Sequence, residues 1–294
     1  MKPSAFEYNR PETLTEALDV LAELGPDGKV LAGGQSLVPL LNMRLAAPAH
    51  LVDVNRLAEL SRVEVTPDAV TVGAIARHAE IEHHADASRA LPLLRQALTH
   101  VAHPTIRNRG TTVGSIVHAD PAGEMPSVLV LLGGSVQLAS SSGSRTVAAE
   151  DFFLAPLESA TEAGELATSV TFPIPAGHTG TAWLEVSRRH GDYAMCGLGA
   201  LVTLDEDLRV ASARATYVSM GPTPVSVDFT GSVVGRSYDS ADWSDAARLA
   251  VESVEPEEDI HATAEYRRHL AGVLTGRALK AAAAHAVART EVPA

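Results

Sequence analysis

The sequence predicts a mixed fold, α+β or α/β, divided into about two domains. The length of 294 residues suits two domains on the usual prior of roughly 150 residues each. In the first part, short apolar strands alternate with helical patterns across short connections, as in mixed folds. In the second part, alternating apolar and polar residues predict strands of an antiparallel sheet, and helical patterns follow them.

A glycine turn in the first part is the leading candidate for a binding site. The apolar run Val30 to Ala32 predicts a strand that stops at Gly33-Gly34, and Ser36 precedes an apolar, helix-like segment. A strand, a glycine turn and a helix start leave backbone N–H groups without partners, and such groups suit a phosphate. Taken alone, this short motif is more often an ordinary tight turn.

The other elements of the first part follow from periodicity and turn signals. A capping-box pattern at Thr13 to Glu16 predicts a helix that ends near Leu24. The remaining predictions are the helix 37–45, the strand 51–54, the hairpin of 62–65 with 69–72, the helices 80–85 and 91–101, a helix from Pro126 to Leu132, the strand 135–139 and a flexible turn at 140–144.

A second segment of small residues, Asn108 to Ser115, is predicted to be a loop. Like the first turn, it combines glycine with hydroxyl side chains. Two such loops are what one pyrophosphate needs if it is clamped from both sides. Their spacing in the sequence does not establish that they meet.

The stretch Phe172 to Gly177 contains two prolines and predicts a linker. Beyond it, the predicted strands are 184–188, 197–204 and 209–218, and the predicted helices are 242–251 and 264–287. The predicted domains are therefore 1–176 and 177–294.

The composition argues against several classes of function. A net charge of −13 argues against binding to nucleic acid or anionic membranes, so local N–H groups would have to hold any phosphate. No apolar run reaches the ~18 residues of a membrane span, and Met1 to Arg10 lacks the apolar region of a signal peptide. The single cysteine, Cys196, permits no internal disulfide and no cysteine-ligated iron–sulfur cluster within the chain. We expect a cytoplasmic protein.

Other candidate sites have simpler interpretations. His83-His84 and the pair of His100 and His103 are too few for a metal site, and we expect them to be surface or loop groups. Cys196 is expected to be a small buried residue, and 255–259 a solvated acidic turn. We predict no metal ligand and no catalytic residue in this chain.

Six motifs stand in the chain in the order and spacing of a known family. They are Ala32-Gly-Gly-Gln-Ser36, Leu41-Asn-Met-Arg-Leu45, Leu51-Val-Asp-Val-Asn-Arg56, Asn108-Arg-Gly-Thr111, His118-Ala-Asp-Pro121 and Ser187-Arg-Arg-His-Gly-Asp-Tyr-Ala194. Together they resemble the FAD-binding medium subunit of the molybdenum hydroxylases. That family includes carbon monoxide dehydrogenase and the flavin portion of xanthine dehydrogenase.

The resemblance implies an α+β fold. An FAD-binding domain of the vanillyl-alcohol-oxidase type, with subdomains of about 1–57 and 58–176, would precede a C-terminal flavoprotein domain, 177–294, with an antiparallel sheet and helices. The bound FAD would be non-covalent, since no attachment histidine stands near the first loop.

The resemblance also implies roles for individual residues. The first pyrophosphate loop corresponds to Lys29, Leu31, Ala32, Gly33, Gly34, Gln35, Ser36 and Leu37, and the second to Thr111, Thr112, Gly114 and Ser115. Glu124 stands where an acidic residue of the family reaches the adenosine ribose. Tyr193 belongs to the segment that lies near the flavin ring.

The second loop departs from the family pattern at Val113. The family usually has Thr-Ile-Gly-Gly there, whereas this chain has Val113-Gly114 in place of the two glycines, and Thr112 in place of the apolar residue. A β-branched residue does not easily adopt positive φ, so either that glycine did not need it or the loop is rearranged. Because glycine would restore the family pattern, Val113→Gly is expected to be tolerated.

The resemblance implies an electron relay. A large subunit with a molybdenum cofactor would oxidise the organic substrate, a [2Fe–2S] small subunit would carry single electrons, and this chain would pass them through FAD to an external acceptor. The expected assembly is a heterotrimer, paired into a dimer of heterotrimers. Two alternatives stay open: a stand-alone FAD-dependent oxidase, for whose substrate cap the chain leaves little room, and a non-enzymatic flavin-binding or assembly module.

Overall fold

The computed structural model describes residues 2–239 and 242–290. Its N-terminal elements build a parallel three-stranded sheet with the order β1-β3-β2. They are β1 (Glu7–Asn9), α1 (Leu14–Leu24), β2 (Gly28–Leu31), α2 (Leu37–Met43) and β3 (His50–Asp53). Because β2 and β3 are parallel neighbours, the residues that follow these two strands lie at one edge of the sheet.

The next part of the chain builds a five-stranded antiparallel sheet with the order β4-β5-β10-β6-β7. Its last strand in the sequence therefore lies in the middle. The elements are β4 (Val63–Val65), β5 (Ala69–Gly73), α3 (His78–Glu82), α4 (Ala85–Ala90), α5 (Pro92–Leu98), α6 (Pro104–Arg107), α7 (Thr112–His118), α8 (Glu124–Leu132), β6 (Ser135–Ser140), β7 (Gly143–Ala148), α9 (Ala149–Phe152), β8 (Phe153–Ala155), β9 (Glu158–Ser159) and β10 (Leu166–Pro173).

One apolar core serves both of these sheets. Ala17 and Leu21 on α1 are buried in the same cluster as Val136 and Leu138 on β6, and α1 packs against β6. The period of the apolar residues in α1 explains this contact, because they fall on one face of the helix. The N-terminal sheet is therefore attached to the second sheet by shared burial.

The C-terminal elements form a separate antiparallel sheet with the order β11-β12-β13-β14, and α12 covers it along β11 and β12. They are β11 (His178–Ser187), β12 (Ala194–Leu204), β13 (Val210–Val218), β14 (Val225–Asp228), α10 (Thr230–Val233), α11 (Ser244–Ser253) and α12 (Ala264–Thr290). Trp183 and Leu201 of this sheet contribute to the first core, so the C-terminal sheet packs against the preceding part of the chain.

The α+β fold class is confirmed, as is the predicted hairpin, which corresponds to β4 and β5. The stretch predicted as a linker supplies the end of β10, and only 174–177 separate it from β11. The domain boundary at 176 stays a prediction. Among the described residues, no helix has both the length and the apolarity needed to span a bilayer.

Several predicted boundaries are wrong for local reasons. The helix 80–85 is two elements, because α3 ends at Glu82 and the His84 ring accepts a hydrogen bond from the N–H of Ala87, which caps α4. The next helix ends at Leu98 rather than 101. The helix expected to start at Pro126 begins two residues earlier, at Glu124. The flexible turn at 140–144 is instead largely strand, since β6 and β7 pair up to Ser140 and Gly143.

Candidate functional site

The glycine turn after β2 and the segment before α7 lie in direct contact. A methyl carbon added at Gly33 would lie 2.5 Å from the carbonyl oxygen of Arg109, 2.8 Å from the Cα of Gly110 and 3.0 Å from the nitrogen of Thr111. Only a residue without a side chain permits this approach. The two small-residue segments, far apart in the sequence, therefore meet in the structure.

The glycine turn leads directly into a helical turn. Gly34 has φ +72°, which glycine adopts without strain. Nε2 of Gln35 donates to the carbonyl oxygen of Gly33 at 2.9 Å, and the N–H of Val38 donates to the carbonyl oxygen of Gly34 at 3.0 Å. The N–H groups of residues 35–37 precede that bond and have no acceptor within the helix.

The second segment is not the predicted loop beyond Thr111. Thr111 caps α7, since its Oγ1 accepts a hydrogen bond from the N–H of Gly114 at 3.2 Å and its carbonyl oxygen accepts one from Ser115 at 3.0 Å. Val113 lies inside this first turn, does not have positive φ, and is 2% exposed. Position 113 therefore needs no glycine. Of the two possibilities raised by the departure from the family pattern, the first holds: a residue at this position does not need positive φ.

This burial reverses the expectation that Val113→Gly is tolerated. The change removes a buried side chain, worth about 1.5–3 kcal/mol, and places glycine inside a helix, at about 1 kcal/mol. We expect the free energy of unfolding of the apoprotein to fall by roughly 2–4 kcal/mol in denaturant titrations. Val251→Gly is the matched control, because Val251 lies on α11 and is 36% exposed. Equal losses in the two variants would contradict the prediction.

A buried histidine orients the start of α7. His78 is buried, and its Nδ1 lies 2.9 Å from Oγ1 of Thr112. The N–H of His78 donates to the carbonyl oxygen of Gly110 at 2.9 Å. Burial, and secondarily the charge of Arg107, lower the pKa of His78 to about 4. At neutral pH the ring is uncharged, and it acts as a hydrogen-bonding partner of Thr112.

A group of acidic residues and one tyrosine lies beyond the C-terminal end of α7. Tyr193 exposes 72% of its surface. Partial desolvation of its hydroxyl group and the neighbouring Asp120 carboxylate raise the pKa of this phenol. Burial raises the pKa of Glu124 to about 8, and the charges of Glu185 and Asp120 act in the same direction.

Glu185 is the buried partner of Glu124. Its side chain is 3% exposed, and burial raises its pKa to about 7, although Nε1 of Trp183 donates to Oε2 at 3.2 Å. Nδ1 of His100 lies 3.9 Å from the same oxygen. The charge of Glu185 opposes ionisation of Glu124, and the raised pKa of Glu124 keeps its carboxyl group largely protonated at neutral pH.

The structure places the predicted residues in two groups that α7 connects. Those of the glycine turn and the start of α7 come together, while Glu124 and Tyr193 lie near Asp120 beyond the other end of the helix. Lys29 is exposed on β2, and its charge contributes to a lowered pKa of His118, for which burial is the larger cause. The charges that act on Glu124 come from Glu185, Asp120 and, in the opposite direction, Arg107. The proposed contact of Glu124 with ribose stays a prediction.

Sequence reasoning missed Asn55, Arg77, His78 and Glu185 as site residues. The position of Asn55 could have been predicted from the sequence. It comes just after β3, and the glycine turn comes just after the neighbouring parallel strand β2, so both lie at the same edge of the sheet. The positions of the other three could not, since they depend on contacts between distant segments. Among the described residues, no group of three His, Cys, Asp or Glu side chains is arranged to hold a metal ion. Cys196 is buried as predicted, and burial raises its pKa to about 12.

Comparisons with known proteins give the family. Residues 4–175 match the family described as "FAD binding domain in molybdopterin dehydrogenase", and residues 181–282 match "CO dehydrogenase flavoprotein C-terminal domain". Caffeine dehydrogenase subunit beta of Pseudomonas sp. (strain CBB1) is 39% identical over 285 residues, 96% of each chain. The carbon monoxide dehydrogenase medium chain of Afipia carboxidovorans is 34% identical over 288 residues, 97% of this chain and 99% of the relative.

A solved structure agrees with these matches. Quinoline 2-oxidoreductase from Pseudomonas putida 86 contains a chain that superimposes with a TM-score of 0.91 at 36% identity, over 97% of this chain and 99% of that one. The fold and the matched domains thus define a flavoprotein with FAD as its cofactor. The chain belongs to the family of FAD-binding medium subunits of molybdenum-containing dehydrogenases. The resemblance inferred from the six motifs is confirmed.

Proposed function

We propose that this chain is the electron relay of a molybdenum hydroxylase complex. A [2Fe–2S] small subunit would deliver electrons to it, and a large subunit with the molybdenum cofactor would oxidise the substrate. We further propose a dimer of heterotrimers in the cytoplasm. The resemblance to medium subunits of multi-subunit dehydrogenases supports the assembly, and the direct contact between Gly33 and the segment before α7 is the observation that supports the binding site.

We assign the pyrophosphate of FAD to the junction of those two segments. The N–H groups of residues 35–37, and those of Thr112 and Val113, precede the first hydrogen bonds of their helices and can donate to phosphate oxygens. Arg77 and Arg109 supply positive charge near this junction, and the Lys29 charge lies nearer His118 at the other end of α7. This donor set fits a dianionic pyrophosphate within a chain of net charge −13.

We assign the flavin ring to the other end of α7, near Tyr193. Helix α7 has seven residues and is therefore about 10 Å long, and it separates the donor groups from the group of Asp120 and Tyr193. FAD supplies the redox chemistry when bound, because it exchanges one or two electrons. The chain would bind and orient it, and the exposed Tyr193 ring would pack against the flavin and limit access of an electron acceptor.

This function predicts that the chain alone, with FAD bound, oxidises no organic substrate. It should retain only acceptor-side activity, such as reduction of a dye by NADH. The test compares the lone subunit with the reconstituted complex on carbon monoxide, purines and N-heterocycles, including caffeine and quinoline, the substrates named for two relatives. Turnover by the lone subunit that equals the complex's would favour a stand-alone oxidase. The absence of any electron transfer, in the subunit and in the complex, would favour a non-enzymatic module.

Non-covalent binding has its own readout. Acid denaturation of the yellow protein should release FAD into the supernatant. Flavin that stays with the precipitate, or release as FMN, would contradict the assignment of a pyrophosphate site without covalent attachment.

A further inference from the structure

Two side chains outside the predicted site residues connect the two segments of the proposed FAD site. Nδ2 of Asn55 donates to the carbonyl oxygen of Ala32 at 2.8 Å, and its Oδ1 accepts a hydrogen bond from Nη2 of Arg77 at 2.6 Å. Nη1 of Arg77 donates to the carbonyl oxygen of Arg109 at 2.7 Å. These three hydrogen bonds form the Asn55–Arg77 bridge, which runs from the glycine turn to the segment before α7.

Both members of the bridge are held by further bonds. The N–H and Nδ2 of Asn55 donate to Oδ1 of Asp53 at 2.9 and 2.6 Å. The N–H of Arg77 donates to Oε2 of Glu80 at 2.7 Å, and Arg77 pairs with Thr111 in an isolated antiparallel bridge. The orientations of both side chains are thereby restrained, so the bridge can fix the distance between the segments.

The bridge complements the contact at Gly33. That contact stops the two segments from approaching further, because backbone atoms already meet there. The bridge opposes their separation, since moving the segments apart breaks hydrogen bonds to a charged guanidinium group, which are stronger than neutral ones. Together, the contact at Gly33 and the Asn55–Arg77 bridge fix the distance between the two segments.

Arg77 also places charge at the junction. Burial, and then the neighbouring Arg109, lower the pKa of Arg77, but a guanidinium group stays protonated at neutral pH. Its two side-chain hydrogen bonds go to an amide oxygen and a carbonyl oxygen, both neutral. Nearby Glu80 and Asp53 offset this charge only through space.

We propose that Asn55 and Arg77 are positioning residues for the cofactor: they hold the two pyrophosphate-binding segments at a fixed separation, with the Arg77 charge between them. This inference rests on the proposed FAD site. It assigns a positioning function to the Asn55 amide and the Arg77 guanidinium group, neither of which is among the backbone N–H groups proposed to bind the pyrophosphate.

The test measures affinity of the full-length apoprotein for FAD and for ADP, by fluorescence and calorimetric titration. Arg77→Lys keeps the charge but cannot make both bonds in the same geometry, and Asn55→Ala removes the connection to Ala32. Each variant should bind FAD and ADP on the order of 10- to 100-fold more weakly. The double variant should lose little more affinity than whichever single variant binds FAD and ADP more weakly, because both changes break the same bridge.

Arg145→Lys is the matched control, since Arg145 also bonds a carbonyl oxygen and a side chain, at Ala160 and Glu165, outside the site. It should leave both affinities unchanged. The inference is overturned if Arg77→Lys and Asn55→Ala bind FAD as the parent does, if their losses add in the double variant, or if only the apoprotein's melting temperature falls while ADP affinity is kept. If the parent itself binds neither FAD nor ADP, the proposed function fails instead.

Discussion

Gly33→Ala is expected to bind FAD at least about 100-fold more weakly than the parent chain, a loss of about 2.8 kcal/mol. The added methyl group would lie within 3.0 Å of three backbone atoms, on Arg109, Gly110 and Thr111. These backbone atoms of 109–111 cannot yield as the end of a flexible side chain can, so the two segments must separate. Backbone N–H groups on the two segments could then no longer bind the same pyrophosphate at the same time.

The measurement is the dissociation constant of FAD from the apoprotein, with circular dichroism as a check on folding. Gly231→Ala is the control, because a methyl group there meets no atom within 4 Å. Gly34→Ala tests a different cause, since Gly34 needs positive φ but its added carbon would contact only side-chain carbons of Leu31 and Val38. Unaltered FAD affinity in Gly33→Ala would place the pyrophosphate elsewhere.

Glu124→Gln is expected to stabilise the apoprotein increasingly as the pH rises from about 5 to 8. In the unfolded chain this carboxyl group ionises near its ordinary pKa of 4.5, whereas in the folded chain the pKa is raised to about 8. Folding therefore retains a proton between these values, so the stability that depends on the protonated group is complete below 4.5 and is lost as the pH rises towards 8. The glutamine amide is neutral throughout and removes this loss.

The groups around Glu124 fix the direction of the effect. Glu185 and Asp120 oppose its ionisation, and Arg107 favours it to a smaller extent. We expect the variant to gain at least about 1.4 kcal/mol over the parent at pH 8, the equivalent of one pKa unit. Denaturant unfolding of the apoprotein at several pH values measures this gain, and Glu158→Gln, at an exposed strand position, is the control. Parallel pH profiles for the parent and Glu124→Gln would contradict the prediction.

The sequence predicted local structure where local chemistry determines it. Thr13 caps α1 and accepts a hydrogen bond from the N–H of Glu16, as the capping-box pattern indicates. The same reasoning failed at Thr112, Val113 and Gly114, because β-branched residues and glycine have low helix propensity. There, the Thr111 cap and the burial of Val113 override propensity.

The binding site was predicted in part for a similar reason. Gly33 and Thr111 were found because glycine turns and family motifs are local. Arg77 and Glu185 escaped notice because their significance arises from partners far away in the sequence, at Arg109 and Glu124. No pattern within a short window records such a pairing.

The central position of β10 has a consequence for biosynthesis. This strand, Leu166–Pro173, hydrogen-bonds to both β5 and β6, yet it is the last of the five strands to leave the ribosome. Helix α1 can complete its packing only after β6 has been synthesised, because it packs on that strand. Although domains commonly fold in turn from the N-terminus during translation, here a nascent chain shorter than about residue 173 holds two half-sheets with open edges. Truncations within β10 should therefore recruit chaperones or aggregate. In the full-length chain, β10 can pair with both half-sheets and close their open edges just as the C-terminal sheet begins to emerge.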